Sequence, residues 1–249
     1  MGGRGSGSGR GGGGRPAGPI RLDTMSDARL ASFIQRSNSA VLPPGFRDDP
    51  TQRLILAAGW NEQPQVMTSS QVEALARKRG AVALYRTVNT APQQYGGKSS
   101  QQIADEFRTG AQFQASGFGG QVYGGGAYFS DNFRGSKAYG HSVSSSTTIG
   151  AVLNDKAKVI SSWDLKGSIG VNWVKSHPQT ARQLGLSINA YGRVGGSSGA
   201  HTAMAMAMGY NAVKNQVGGR EHYYTIFDRS ILTTSSKDYY PQSKNLKGR

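Results

Sequence analysis

A glycine-rich segment with two adjacent aromatic residues and a serine is the part of this sequence best suited to chemistry on a ligand. It reads GGQVYGGGAYFSDN over residues 119–132, and SKAY follows at 136–139. Glycine lacks a β-carbon, so its backbone can come close to a ligand. Tyr128 and Phe129 point to opposite sides of a strand, so one of them is predicted to lie in the core. The residues alone leave two interpretations open, a site for a flat ligand or an aromatic surface loop.

Arg86 is the second candidate, because it ends an otherwise apolar strand face. Residues 81–88 read AVALYRTV, an apolar and β-branched run that is typical of a strand. With a period of two, Arg86 shares a face with Val82 and Leu84. An arginine there needs an anion. The residues leave open whether a structural carboxylate or a ligand supplies it.

The elements that would position these residues are short and irregularly ordered. Helices are predicted over residues 27–38, 99–109, 179–184 and 197–208, and a further helix is predicted to start at Ser136. Ser99 and Gln102 are the predicted caps of the helix over 99–109. One more helix is predicted from a capping pair, Ser70 and Glu73, to a terminal glycine, Gly80. Strands are predicted over 81–88, 127–130, 157–161, 210–213 and 222–227. Without regular alternation of strand and helix, this pattern predicts an α+β fold.

Composition excludes several kinds of site. The chain of 249 residues has no cysteine, so it has no disulfide framework and no thiolate nucleophile. Its 4 histidines lack ligand spacing, and we expect no metal. Met204, Met206 and Met208 alternate with alanine and are predicted to be adaptable core. Neither a signal peptide nor a transmembrane segment is predicted.

Charge and low complexity mark the two ends of the chain. Lys plus Arg is 29 against 14 acidic residues, a net charge of +15, which favours polyanionic partners. Residues 1–24 are predicted to form a disordered Gly/Arg-rich tail and residues 233–249 a basic C-terminal tail. Between them we predict an N-terminal helical segment over 25–79 and one larger domain over 80–232. Both tails could contact nucleic acid non-specifically, or only keep the chain in solution.

Three motifs, together with their order along the chain, resemble the ADP-ribosyltransferase fold. They are Tyr85-Arg86-Thr87 on a first strand, GGGAYFS at 124–130 with SKAY at 136–139, and Glu221 at the start of a late strand. The middle block resembles the nicotinamide-binding segment of the poly(ADP-ribose) polymerases. The order and spacing are similar to mono-ADP-ribosyltransferase domains of phages and prophages, often found with minor head proteins. The resemblance covers residues 80–232 and implies a split β-sheet core with flanking helices.

The resemblance also implies a reaction. Members of the family cleave the nicotinamide–ribose bond of NAD+ through an oxocarbenium-like transition state, and a carboxylate stabilises the developing charge. It implies Glu221, Arg86 and Ser130 as catalytic residues, with Ser130 orienting Glu221 or the ribose. The residues implied in NAD+ binding are Arg86, Thr87, Gly126, Tyr128, Phe129 and Tyr139. NAD+ is then the substrate, with no metal and with an unidentified protein or nucleic-acid acceptor.

Some features of the resemblance leave alternatives open. If Asp228 is aligned with the aspartate that ends the polymerase strand, Tyr223 rather than Glu221 takes the catalytic position. Arg86 in place of the polymerase histidine implies transfer of a single ADP-ribose, and Glu221-His222-Tyr223 lacks the Glu-x-Glu of arginine-modifying toxins. The alternatives are an inactive, virion-associated member of the fold and a basic nucleic-acid-binding protein. We expect a location in the host cytoplasm or the phage virion.

Overall fold

A computed structural model describes residues 19–44, 46, 48–91, 97–110, 125–138, 146–216 and 221–239. In these residues the protein has a mixed α/β structure, with a large mixed sheet and flanking helices. This agrees with the predicted α+β class. None of the described helices is long and apolar enough to cross a membrane.

The helices are short, and the strands that form the sheet come from all parts of the described chain. The helices are α1 (Asp27–Asn38), α2 (Pro50–Ala57), α3 (Ser69–Ala76), α4 (Ser100–Thr109), α5 (Phe133–Ala138), α6 (Ser162–Lys166), α7 (Ser168–Ser176), α8 (Pro178–Gln183) and α9 (Ser198–Ala207). The strands are β1 (Gln65–Met67), β2 (Ala83–Asn89), β3 (Ala127–Ser130), β4 (Ser146–Leu153), β5 (Val159–Ser161), β6 (Ser187–Ile188), β7 (Val194–Gly195), β8 (Ala212–Gln216), β9 (His222–Ile226) and β10 (Leu232–Ser235).

Eight strands form one sheet that is nearly divided in two. Their order is β1-β10-β4-β2-β3-β9-β8-β5. β1 is parallel to β10 and β5 is parallel to β8, whereas the other neighbours are antiparallel. The two middle strands, β2 and β3, are joined in the described structure by a single residue pair, Tyr85 with Ser130. The sheet therefore consists of two four-strand halves that meet at one point.

The core lies on the sheet face that carries Leu84, Phe129 and Ile149, each almost fully buried. Helix α9 contributes to this core, and its Met204 and Met206 have no exposed surface. The prediction that the methionine run is core is confirmed for Met204 and Met206, whereas Met208 is partly buried and packs against the core. Burial of each such side chain contributes about 1.5–3 kcal/mol to folding.

Local signals predicted most of these elements well. Ser99 caps α4 and forms a capping box with Gln102, as predicted. The predicted cap of α3 was wrong, because Thr68 and Gln71 form the capping box there and the helix ends at Ala76, before Gly80. Helix α5 begins at Phe133, one turn before the predicted start.

The packed part of the chain extends beyond both predicted domain boundaries. Leu22 is 1% exposed, and the main-chain N–H of Ile20 donates to the carbonyl of Ala58. At the other end, Thr234 lies in β10 and Tyr239 packs over Gly150. Residues 19–24 and 233–239 thus pack with the fold. The rest of the two predicted tails, 1–18 and 240–249, lies outside the described residues.

Candidate functional site

Ser130 and Glu221 meet at the junction between the two halves of the sheet. The Ser130 hydroxyl donates a hydrogen bond of 2.9 Å to Oε1 of Glu221. Ser130 pairs in register with Tyr223, and Glu221 lies two residues before Tyr223, so the two side chains leave the sheet on the same side. The main-chain N–H of Asn132 donates to Oγ of Ser130 at 2.9 Å, which fixes the serine from its other side. Ser130 is almost fully buried, and Glu221 is partly exposed.

Helix α5 closes over the Glu221 carboxylate. The turn before the helix is held by Asn132, whose Oδ1 accepts from the main-chain N–H groups of Arg134 at 2.9 Å and Gly135 at 3.4 Å. Gly135 then lies so close to Glu221 that a β-carbon at this position would overlap the carboxylate. Neither Asn132 nor Gly135 was predicted to act in the site. The asparagine before a short helix is a signal that could have indicated the cap.

A chain of hydroxyl groups fixes α5 to the sheet. Oγ1 of Thr87 lies 3.0 Å from Oγ of Ser136 on α5 and 3.0 Å from Oγ1 of Thr148 on β4. A hydroxyl has one hydrogen and two lone pairs, so Thr87 keeps the capacity for one further contact. In the described structure, Thr87 thus positions the helix that carries Gly135.

Asp131 and His222 form a second contact between β3 and β9. Nδ1 of His222 lies 2.8 Å from Oδ2 of Asp131, and the His222 main-chain N–H donates to Oδ1 at 2.9 Å. The Asp131 main-chain N–H donates to the His222 carbonyl. Each residue directly follows Ser130 or Glu221, so this pair fixes the two strand ends that carry them. No local sequence signal indicated this pair, because the partners are 91 positions apart.

Arg86 lies near the same junction on the opposite side of the sheet. Its guanidinium lies over the ring of Phe107, with Cζ 5.6 Å from the centroid, and that ring packs on Phe129. No carboxylate among the described residues pairs with Arg86. Burial of the guanidinium lowers the pKa of Arg86 to about 10, against a smaller raising effect of Tyr128. Arg86 therefore remains a cation at neutral pH.

The candidate aromatic and glycine residues have different surroundings. Phe129 is 1% exposed and belongs to the core, whereas Tyr128 is partly exposed on the face of Ser130. One of the two adjacent aromatic residues is thus core, as predicted. Gly126 has a φ of 149°, and a β-carbon there would overlap the Thr225 side chain on β9. Glycine at this position is required for the packing of β3 on β9. Tyr139 lies outside the described residues.

The structure distinguishes between the two positions that the sequence left open for a carboxylate. Tyr223 is in register with Ser130 and is 7% exposed. Glu221 instead reaches the Ser130 hydroxyl from two residues further along the chain. The carboxylate at the junction is therefore that of Glu221.

No group of three or more His, Cys, Asp or Glu side chains among the described residues could hold a metal ion. Two open surface depressions lie along α1 and α8, on residues that include Arg29, Phe33 and Arg182. Neither depression contains a residue of the candidate site.

Comparisons with protein-family models, curated proteins and solved structures give no match to this chain. The candidate site therefore has to be judged on its own geometry.

Proposed function

We propose that the protein is a mono-ADP-ribosyltransferase that cleaves the nicotinamide–ribose bond of NAD+ and transfers ADP-ribose to a macromolecular acceptor. The observation that carries this proposal is the 2.9 Å hydrogen bond from Ser130 to Glu221 at the one-pair junction of the divided sheet. The resemblance implies that Ser130 orients Glu221 or the ribose, and this contact between two residues 91 positions apart agrees with the first of these roles. Their order is similar to that of the phage and prophage enzymes.

Glu221 would act on the ribose. When the bond between C1′ and the nicotinamide nitrogen breaks, nicotinamide leaves with the bonding electrons as a neutral molecule, and positive charge develops on the ribose. A carboxylate fixed beside the ribose stabilises this charge without having to reorganise. The acceptor nucleophile then forms a bond to C1′ and loses its proton to solvent or a base. Ser130, Asn132 and Gly135 keep the carboxylate in one orientation.

The division of the sheet would supply the binding site. Beyond the pair Tyr85 and Ser130, no described ladder pair joins the rest of β2 to β3. The implied NAD+ residues border this divergence from both sides of the sheet. Thr87 and Tyr128 lie on the side of Glu221 and Arg86 on the other side, so NAD+ in contact with all three would pass through the gap between β2 and β3. Arg86 lacks a carboxylate partner in the described structure and suits the pyrophosphate of NAD+, since its planar guanidinium offers several donors.

Enzyme activity is tested with NAD+ labelled in the adenylate part. The wild-type protein is expected to release nicotinamide and to label itself or a protein or nucleic acid in a host lysate. Glu221→Gln keeps the shape of the side chain and removes its charge, so it should lower the rate by two orders of magnitude or more, about 3 kcal/mol. Glu62→Gln is the matched control, because that side chain is exposed and remote from the junction.

The outcomes separate the alternatives. Equal rates for the wild type and Glu221→Gln would contradict the catalytic assignment. Saturable NAD+ binding without nicotinamide release would instead indicate an inactive, binding-only member of the fold. Mass spectrometry of the labelled lysate would identify the acceptor.

A further inference from the structure

A two-stranded hairpin, separate from the eight-stranded sheet, and two short helices carry several exposed aromatic and apolar side chains. Strands β6 and β7 pair to form the hairpin, which packs on α6 and α7. Four of the exposed large hydrophobic side chains lie on these elements: Trp163, Ile169, Ile188 and Tyr191. Trp163 is 68% exposed and Tyr191 is 90% exposed. Exposed apolar side chains grouped on neighbouring elements are typical of an interaction site.

The turn that displays Tyr191 is held by its own hydrogen bonds. Oδ1 of Asn189 accepts from the main-chain N–H groups of Tyr191 at 3.0 Å and Arg193 at 3.1 Å, and the Asn189 N–H donates to the Arg193 carbonyl at 2.9 Å. Gly192 has a φ of 68°, which favours glycine. Because the turn is already ordered, a partner that contacts Tyr191 pays little ordering entropy.

Cations accompany the exposed rings. The guanidinium carbon of Arg193 lies 4.0 Å from the centroid of the Trp163 ring and covers one of its faces. The high exposure of Trp163 leaves its other face open to solvent. Lys166 is exposed and follows Trp163 by three residues on α6, so both lie on one side of the helix. The acidic residue of this helix, Asp164, accepts a hydrogen bond of 2.7 Å from Ser161.

We propose that this aromatic hairpin surface, formed by Trp163, Lys166, Tyr191 and Arg193, binds single-stranded nucleic acid. Bases stack on the open faces of the two rings, and the phosphates lie beside the two cations. Proteins that bind single strands combine these same two features, stacking platforms and positive charge. An acidic peptide would satisfy the cations but has no regular series of flat groups for the rings. The net charge of +15 favours the same partner class.

This proposal does not depend on the transferase activity, because none of its residues belongs to the Glu221 site. It also differs from nucleic-acid contact through the basic tails, since it assigns binding to a folded surface.

The three tryptophans give a direct measurement. Trp60 and Trp173 are 7% and 9% exposed, so Trp163 is the one that a base can reach. Titrating the full-length protein with oligothymidylate should quench tryptophan fluorescence in a saturable way. Trp163→Phe should remove most of the quenching and keep most of the affinity, because phenylalanine still stacks. Trp163→Ala combined with Tyr191→Ala should weaken binding roughly tenfold or more, since each stacked ring contributes about 1–3 kcal/mol.

Two control variants separate the hairpin surface from general effects. Val66→Ala removes an exposed apolar side chain on β1, and Arg79→Ala removes an exposed cation after α3. Both should bind oligothymidylate within about twofold of wild type, as a single remote surface group contributes little.

Four results would overturn the proposal. One is unchanged oligothymidylate affinity in the double alanine variant. Another is loss of both binding and quenching when only Arg4, Arg10 and Arg15 are changed to serine, which would assign binding to the N-terminal segment. The third is a wild-type dimer in sedimentation that the double variant converts to a monomer, which would mean that a second copy of the chain covers this surface. Polyglutamate that binds equally well and responds equally to the double variant would assign the surface to acidic protein instead.

Discussion

Gly135 lies directly against the carboxylate of Glu221, so the backbone of α5 forms one wall of the candidate site. The Ser130 hydroxyl donates to Oε1 of Glu221, the same oxygen that lies nearest to Gly135. The carboxylate is thus held between a strand end and a helix that are five residues apart in sequence. This arrangement makes the contribution of each side testable.

Gly135→Ala is expected to displace Glu221 and to lower the rate of NAD+ cleavage at least tenfold. Overpacking of this kind typically costs about 1–3 kcal/mol of stability. The stability cost should largely disappear when Glu221 is also changed to alanine, because the overlapping carboxylate is then absent. Urea unfolding of the single and double variants gives this coupling. Gly199→Ala on α9 is the control, since a β-carbon there would make only an ordinary van der Waals contact, 3.9 Å from Oγ of Ser197. Additive costs for Gly135 and Glu221 would contradict the contact.

Ser130→Ala removes the hydrogen bond to Glu221. A hydrogen bond to a charged group contributes about 1.5–3 kcal/mol, so the rate of NAD+ cleavage should fall roughly tenfold or more. Ser100→Ala is the matched control, because Ser100 is also buried and its hydroxyl lies 3.0 Å from Oγ1 of Thr147, on α4 and β4. It should reduce stability by a similar amount and leave the rate unchanged. Equal rates for both variants would show that the hydroxyl of Ser130 does not orient the carboxylate.

Arg229 is expected to be essential for stability. It is fully buried and donates to five main-chain carbonyl oxygens, those of Asn61, Glu62, Glu106, Phe107 and Gly110. Arg229→Ala would leave these acceptors unsatisfied and should lower the free energy of unfolding by about 3 kcal/mol or more. Arg229→Lys should restore only part of this, because an ammonium group has three donors.

The control for Arg229 is Arg21→Ala, which removes an arginine from an exposed pair with Asp23. Chemical denaturation should show almost no change in its unfolding midpoint. A lysine variant of Arg229 as stable as the wild type would contradict the role of the guanidinium geometry.

His201 should make stability depend on pH. Burial lowers the pKa of His201 below its ordinary value of 6.5, and the charge of Lys166 adds to this, while a contact with the Val194 carbonyl opposes it. As the pH falls, His201 therefore takes up a proton in the unfolded chain at a higher pH than in the folded protein. The stabilisation is complete above pH 6.5 and is lost as the pH falls through the lower folded value, with a slope of at most about 1.4 kcal/mol per pH unit.

Urea unfolding between neutral pH and about pH 5 measures this slope. His201→Gln should flatten it, because glutamine does not titrate. His177→Gln, on a partly exposed residue beside Trp173, is the comparison. If both variants flatten the curve equally, burial of His201 is not its cause.

Tyr239 is expected to anchor the end of the described chain. It is 3% exposed, packs over Gly150, and burial raises its pKa. Tyr239→Ala should lower the free energy of unfolding by about 3 kcal/mol, as for other buried aromatic residues. A stop codon after Tyr239 removes none of the described contacts and should leave the melting temperature unchanged. An alanine variant as stable as the wild type would instead support the prediction that the C-terminal tail begins at residue 233.

The sequence by itself determined the local structure where it contained a helix cap or an uninterrupted apolar run. It was sufficient for α4 with its capping box, for β3, and for the burial of the methionines in α9. It was insufficient for β4, whose first residues are Ser146, Thr147 and Thr148. Both threonines are buried because hydroxyl partners on α4 and β2 satisfy them, and these partners are far away in sequence.

Only the tertiary structure decided which side chains meet. The resemblance to the ADP-ribosyltransferase fold implied that Ser130 would orient Glu221 or the ribose. The Ser130 hydroxyl donates to Glu221, although its partner in the register of β3 with β9 is Tyr223. The contact of Gly135 with Glu221 and the position of Arg86 over Phe107 depend on how α5 and α4 pack on the sheet. A sequence specifies hydrogen bonds between near neighbours directly, whereas contacts across a sheet depend on strand order and register.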